Sequence, residues 1–437
     1  MNQTMRLNKL FIATLLAFST LAFQSCLKDQ EDFFDESSSE RMQAVLENTK
    51  AVLTSSDNGW IFDYYPDRNL SYGGIIYALK FDDKKVSVRC ELSPDMEETS
   101  FYKLNTNNGP VLSFDSYNTL MHFFATPSSG EYEAKDGDFE FMIMDVTEDR
   151  ITLRGNRTGN TMYLHRLNEA PDAFIHAAGK IYDTNVVPSA NGAVGAIALT
   201  CKNDINTHYM EFFWGEDNSQ SSGEYYLSTS TGIRFKNPIT IEGATISELN
   251  YAYDDSNKSG TFTGEDSNGN QISLTGVLPE TYAFFDDYIG NFSFRYYSGL
   301  RSINVKIDGD KMIGEYTLTG FNDRYTVAAS YNKANGCLEI NAQLLGINGN
   351  EAVWLAAWSL GGGGSLAWDS SYGVFVIKDP DRPGTFTITP NNGSLATDSF
   401  ILWTTDLSGS STGQLSDPNW MINGSTQLPY LNSLVKL

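Results

Sequence analysis

With 437 residues, 41% of them hydrophobic and 13% aromatic, the chain holds ample material for packed cores and is long enough for about two to four domains. A formal net charge of −24 repels phosphate-rich partners, so nucleic-acid binding is not expected. Four cysteines, Cys26, Cys90, Cys201 and Cys337, widely spaced and without a C-x-x-C pair, exclude a disulfide framework or a thiolate zinc site.

The first 25 residues have the form of a signal peptide. Arg6 and Lys9 precede an apolar run from Leu10 to Phe23, too short to span a bilayer, which takes roughly 20 apolar residues. Phe23-Gln24-Ser25-Cys26 resembles a lipobox, in which Cys26 is acylated and becomes the new N-terminus. Multiple acyl chains on Cys26 would make the membrane the first partner of the mature protein. Its charge becomes −26 once Arg6 and Lys9 leave with the signal. Residues 26–36 form an acidic tether, Leu27-Lys28-Asp29-Gln30-Glu31-Asp32 at its start. That composition resembles the signal by which Bacteroidota send lipoproteins to the outer face of the outer membrane.

A helix is predicted from about Ser38 to Leu53. Ser37 and Glu40 make a capping box, Met42, Val45, Leu46, Val52 and Leu53 share one face, and Asp57-Asn58-Gly59 ends it. From Trp60 onward the period is 2. Val86 to Leu92 alternates apolar and polar residues, as does Ile303 to Asp308, where Asp308-Gly309-Asp310-Lys311 is expected to turn the chain into a strand from Met312 to Leu318. Such strands, separated by Gly, Asn and Asp turns about every ten residues, predict an all-β fold. Its expected form is several antiparallel barrel or sandwich units in series, lipocalin-like meanders, with one short N-terminal helix. No second amphipathic helix is expected.

A weak repeat supports serial units: the strand and turn Ile151 to Asn160 are echoed by Gly260 to Asn270. Breaks placed at Asn168–Asp172 and Pro279–Asp287 divide the mature chain into residues 37–168 (helix plus first β domain), 169–280 (second β unit) and 281–437 (C-terminal β domain). The last of these holds Trp354, Trp358, Trp368, Trp403 and Trp420, and a flexible loop from Gly361 to Ser365.

Catalytic patterns fail on context. Gly409-Ser410-Ser411-Thr412-Gly413 fits G-x-S-x-G, yet His122, His165, His176 and His208 all precede it and no βαβ unit surrounds it. No H-E-x-x-H occurs, and the oxygen-rich turns at Asp136-Gly137-Asp138, Glu265 to Asn268 and Asp308 to Asp310 do not complete a calcium loop. Neither metal nor organic cofactor is expected, and no catalytic residue is assigned. Aromatic rings on a rigid β scaffold suit peptide or glycan ligands, which makes Trp354, Trp358 and Trp368 the candidate binding residues.

The segment from Trp60 to about Leu167 carries further motifs: Gly59-Trp60, Tyr64-Tyr65-Pro66, Tyr72-Gly73-Gly74, Gly109 to Asp115 with Tyr117-Asn118 and His122, Gly137 to Phe141, and Gly155 to Asn160. In these it resembles a family of Bacteroidota surface lipoproteins carrying a domain of unknown function. The resemblance implies an accessory role beside starch-utilisation-type TonB-dependent transporters and their lid lipoproteins, at the exterior of the outer membrane, and supplies no catalytic residues. From the residues alone Gly73, Gly74 and Gly137 suit turns or bulges, and Asp138 and Glu140 are candidates for a functional role. Two other readings stay open: a surface hydrolase that trims peptide or glycan before import, and an adhesin or structural coat lipoprotein.

Overall fold

The computed structural model describes residues 37–107, 109–127, 134–391 and 393–437. The signal segment, Cys26 and the acidic tether lie outside them. The described chain is mostly antiparallel β-structure in serial units, as its alternation predicts, opened by a short N-terminal helix.

Helix α1 (Ser38–Thr54) starts on the expected capping box: the Ser37 hydroxyl accepts from Glu40 N, and the Glu40 carboxylate accepts from Ser37 N. Leu46 and Leu53 of α1 are buried, and Trp60 Nε1 donates to the Leu53 carbonyl at 2.9 Å, fastening the helix end to the first strand. Nine strands between Trp60 and Arg166 form one sheet, each paired to its neighbour in sequence, with the first strand also pairing the last through Trp60↔Arg166. The order breaks only between Ser93–Phe101 and Lys103–Asn105, which become the two edges. Phe62, Tyr64, Tyr77, Phe114 and Phe141 pack edge to face in its core. A one-turn helix, α2 (Thr119–His122), is capped by the Asn118 side chain.

Helix α3 (Pro171–Thr184) corrects the expectation that no second amphipathic helix exists. It buries Phe174, Ile175, Ala178, Gly179 and Ile181. Gly179 admits close contact: a Cβ there would sit 2.5 Å from the Pro94 ring and 3.0 Å from the Glu91 carbonyl.

Eight strands from Ser189–Val194 to Gln271–Val277 close the first barrel, through Asn191↔Thr275 and its neighbours. At that seam Gly192 is required, since a Cβ would lie 1.8 Å from the Ser273 carbonyl oxygen. The repeat seen in the sequence is the last hairpin of the N-terminal sheet, Arg150–Gly155 with Thr161–Arg166, and of this barrel, Ser259–Glu265 with Gln271–Val277. The connector from Pro279 to Tyr288 is packed: Tyr282, Ala283, Phe285 and Tyr288 are buried, and Tyr282 Oη donates to the Lys333 carbonyl at 2.7 Å.

The second barrel, also of eight strands, closes through Phe292↔Lys436. Its first hairpin turns at Lys311–Gly314, not at Asp308–Lys311: Arg301–Asp310 continues through Gly309↔Tyr316 and Asp310↔Glu315. Two excursions leave this barrel and form a separate six-stranded sheet. Gln343–Asn348, Glu351–Ser359 and Ser365–Ala367 come from the first; Ser399–Asp406, Ser411–Gln414 and Gln427–Leu428 come from the second. Cys90, Cys201 and Cys337 are buried, unpaired thiols, one in each unit. No helix among the described residues is long and apolar enough to cross a membrane.

Candidate ligand-binding face

The appended sheet has two faces of different character. On one, Val353, Leu355 and Ala357 join Phe400 and Leu402 in the core of the C-terminal unit. By strand alternation Trp354, Ala356 and Trp358 stand on the opposite face. Across the ladder Trp354 faces Trp403, Ala356 faces Ile401, and Leu344 continues the Trp354 row on the far side. Ala356 and Ile401 are buried on this face, and the indoles flanking them are half-buried. Leu344 and Ile347, 49% and 51% exposed, extend the apolar surface along the edge strand.

The three indoles are pinned. Trp354 Nε1 donates to Thr405 Oγ1 at 3.1 Å, Trp403 Nε1 to Ser411 Oγ at 2.9 Å, and Trp358 Nε1 to the Gly364 carbonyl at 3.2 Å. The glycine loop that receives Trp358 is itself fastened, because the Asp398 carboxylate accepts from Leu360 N and Gly361 N, each at 2.8 Å. With their N–H groups satisfied inside the protein, the rings offer outward only carbon edges and π faces. Ser411, the serine of the G-x-S-x-G pattern, serves as the acceptor for an indole.

Of the candidate residues, Trp354 and Trp358 therefore share one face. Trp368 lies one residue beyond Ser365–Ala367, half-buried and outside the ladder. Trp403 is the partner that sequence reasoning did not select, and Trp420 is core, stacked on Tyr325 at 5.8 Å. Cys26 is outside the described residues. The strands of this sheet contain two ionisable residues, Glu351 and Asp406, which face each other at one end on the face opposite the indoles.

A second concavity, of about 1130 Å³, opens where helix α3, the connector and the first hairpin of the second barrel meet. Lys311 crosses it, bridging Asp183 at 2.9 Å and Asp286 at 2.7 Å, and Lys333 lines its wall. Glu91 lies behind, 2% exposed, with Oε1 accepting from Ile76 N at 2.8 Å. Burial pushes the Glu91 carboxyl up to about 8 and the Lys333 ammonium down to about 8.

Polar residues of the N-terminal sheet make internal hydrogen bonds and ion pairs. Asp138 is buried and accepts from Arg157 N, Thr158 N and Thr158 Oγ1, and its carbonyl accepts from Tyr64 Oη. Asp63 holds Arg234 at 2.5 Å and His165 at 3.2 Å. The His122 ring lies against the Asn118 backbone. Among the described residues no three His, Cys, Asp or Glu side chains converge as a metal set.

Residues 30–253, just over half the chain, match the family model described as domain of unknown function (DUF4302), and residues 265–403 match a second, DUF4987, also a domain of unknown function. The division between them falls within the first barrel. The chain has no match among curated proteins. Among solved structures, a mutant of the vaccine antigen transferrin binding protein B from Haemophilus parasuis Hp5 is 11% identical, over 86% of this chain and 74% of that one, with a TM-score of 0.13. Isotype 1 transferrin binding protein B from serogroup B Neisseria meningitidis is 8% identical, over 79% and 71%, with the same score. A score that low establishes no common arrangement or role. By the span of the first family model, the chain belongs to the DUF4302 family, defined by a domain of unknown function.

Proposed function

We propose that this protein is a non-catalytic lipoprotein of the cell surface, anchored through Cys26 at the outer face of the outer membrane. There it serves as an accessory, ligand- or transporter-binding component of a TonB-dependent uptake complex for peptide or glycan. The observation that supports it is the appended sheet. The second barrel closes through Phe292↔Lys436 without any of the six extra strands, so closure does not explain them. What they add is a rigid, aromatic face, a surface suited to holding a ligand or partner.

Affinity purification of the tagged full chain from native outer membranes tests the proposal. A transporter and its lid lipoprotein are expected to co-purify, and Cys26→Ser is expected to release the protein from the membrane fraction. Recovery as a lone species, or membrane attachment that survives Cys26→Ser, would overturn it.

A further inference from the structure

We infer that the Trp354, Trp358 and Trp403 face of the appended sheet is a binding site for an uncharged polysaccharide, which stacks its sugar rings on the indoles. This rests on the proposal that the protein binds cargo without transforming it, and names the class of cargo.

Geometry comes first. Trp354 and Trp358 stand four residues apart on one strand, roughly 13 Å at the usual rise of a strand, and Trp403 lies directly across from Trp354. The array is therefore extended and flat, the shape of a short run of linked sugar rings and not of one small molecule. Because Ala352 and Ala356 are the residues that alternate with the indoles on that face, nothing tall separates one ring from the next.

Chemistry then selects among polymers. Each indole N–H is already bonded within the protein, so the rings attract a ligand through dispersion and contact with polarised C–H groups, which the faces of sugar rings supply. Gln414 pairs with Trp403, and Ser411 and Gln427 stand on the same face in the neighbouring rows, paired with Thr405 and Ile401; all three are uncharged hydrogen-bonding groups suited to hydroxyls. No ionisable residue of these strands shares the face, although the chain as a whole carries −24. A peptide brings terminal charges that this surface does not answer, and an acidic glycan would be repelled by the surrounding protein.

Affinity electrophoresis of the purified mature chain in gels containing amylopectin, laminarin or galactomannan tests this, with titration of tryptophan fluorescence by a casein hydrolysate alongside. At least one of the three polysaccharides is expected to retard the wild type. Trp354→Ala with Trp403→Ala should weaken that retardation at least tenfold, while Trp403→Phe, which keeps a ring, should retain most of it. Circular dichroism of each variant verifies the fold. Absence of retardation by all three, or retardation unchanged in the double variant, overturns the inference. If the hydrolysate alone binds and the double variant loses it, the glycan class falls and the cargo-binding proposal stands. Release of sugar from the retained polymer would sink the non-catalytic proposal and leave the site in place.

Discussion

The Lys333 ammonium lies 3.6 Å from the centre of the Tyr182 ring, so a cation from the second barrel rests on an aromatic face of helix α3. Behind that ring stands His208 of the first barrel, 5.3 Å away edge to face and stacked in turn on Tyr226 at 5.3 Å. Lys333 makes no ion pair among the described residues, and burial draws its ammonium down to about 8 against the opposing pull of Asp183 and Glu91. Neighbouring Lys311 behaves oppositely: burial disfavours its charge, but Asp183 and Asp286 outweigh that and hold it above its usual range.

Competitive acetylation across pH, read by mass spectrometry, should therefore find Lys333 half-reactive near pH 8. Lys311 should become reactive only in far more alkaline solution. The same midpoint for both lysines would contradict the described junction.

The N-terminal sheet and the first barrel are joined by Arg234, which reaches the buried Asp63 at 2.5 Å. Removing the guanidinium strands a carboxylate that, among the described residues, keeps the His165 ring at 3.2 Å as its side-chain partner. Arg234→Met is expected to cost about 3 kcal/mol, toward the low end for a broken buried pair because Arg234 is partly exposed. Asp63→Asn in that background should restore at least half of the loss, since the stranded charge is gone. Urea unfolding of the four species of the cycle measures it, and additive losses would show that the pair is not coupled.

Asp138, a candidate for a functional role in the sequence, has its oxygens engaged by the turn between the last two strands of the N-terminal sheet. Asp138→Ala leaves the Arg157 and Thr158 amides without their acceptor and should destabilise by about 3 kcal/mol. Gly155→Ala should cost at least as much, because its Cβ would lie 2.1 Å from Asp138 Oδ2. Glu140→Gln should shift stability by less than about 0.5 kcal/mol, since its carboxylate makes only long contacts, 3.3 Å to Ser113 and 3.4 Å to Asn156. Denaturant midpoints of the three variants rank them, and a large effect of Glu140→Gln would reverse the assignment.

What the sequence displayed was local. The Ser37 and Glu40 box, the alternation from Val86 to Cys90 and the paired closing hairpins depend on neighbours a few residues apart, and all are present. Helix α3 was hidden because Ala170 offers no capping side chain and Gly179 weakens the helical pattern; the helix is secured instead by packing on the N-terminal sheet. The hairpin expected at Gly309 moved on to Lys311–Gly314 because the strand keeps pairing through Gly309. Pairing of Trp354 with Trp403 was illegible for another reason: it joins two excursions that are separated in sequence by two strands of the barrel, Gly373–Lys378 and Thr385–Pro390. The cluster of Glu91, His208 and Lys333 comes from three units, and no spacing in one chain encodes it.

That cluster also sets a pH signature. Burial raises the Glu91 carboxyl from an ordinary 4.5 to about 8, so the folded protein holds a proton that the unfolded chain releases between those values. The stability tied to this proton is complete below pH 4.5 and is lost as pH rises through about 8. His208 runs the other way. Burial, with the Lys333 charge, lowers it from 6.5 to about 3 against the bond to the Gly74 carbonyl, so the unfolded chain takes up a proton that the folded one refuses. Its contribution is complete above pH 6.5 and is lost as pH falls toward 3. Between pH 4.5 and 6.5 the two slopes, each about 1.4 kcal/mol per pH unit for one proton, oppose each other. Glu91→Gln should therefore gain on the wild type progressively from pH 5 to 8, while keeping an acceptor for Ile76 N. His208→Asn, chosen because His208 has φ 49 and Asn tolerates that conformation, should lose overall stability but hold it better than the wild type as pH falls from 6 to 4. Denaturant unfolding at several pH values reads both slopes, and differences from the wild type that stay constant with pH would refute the assignment of either proton.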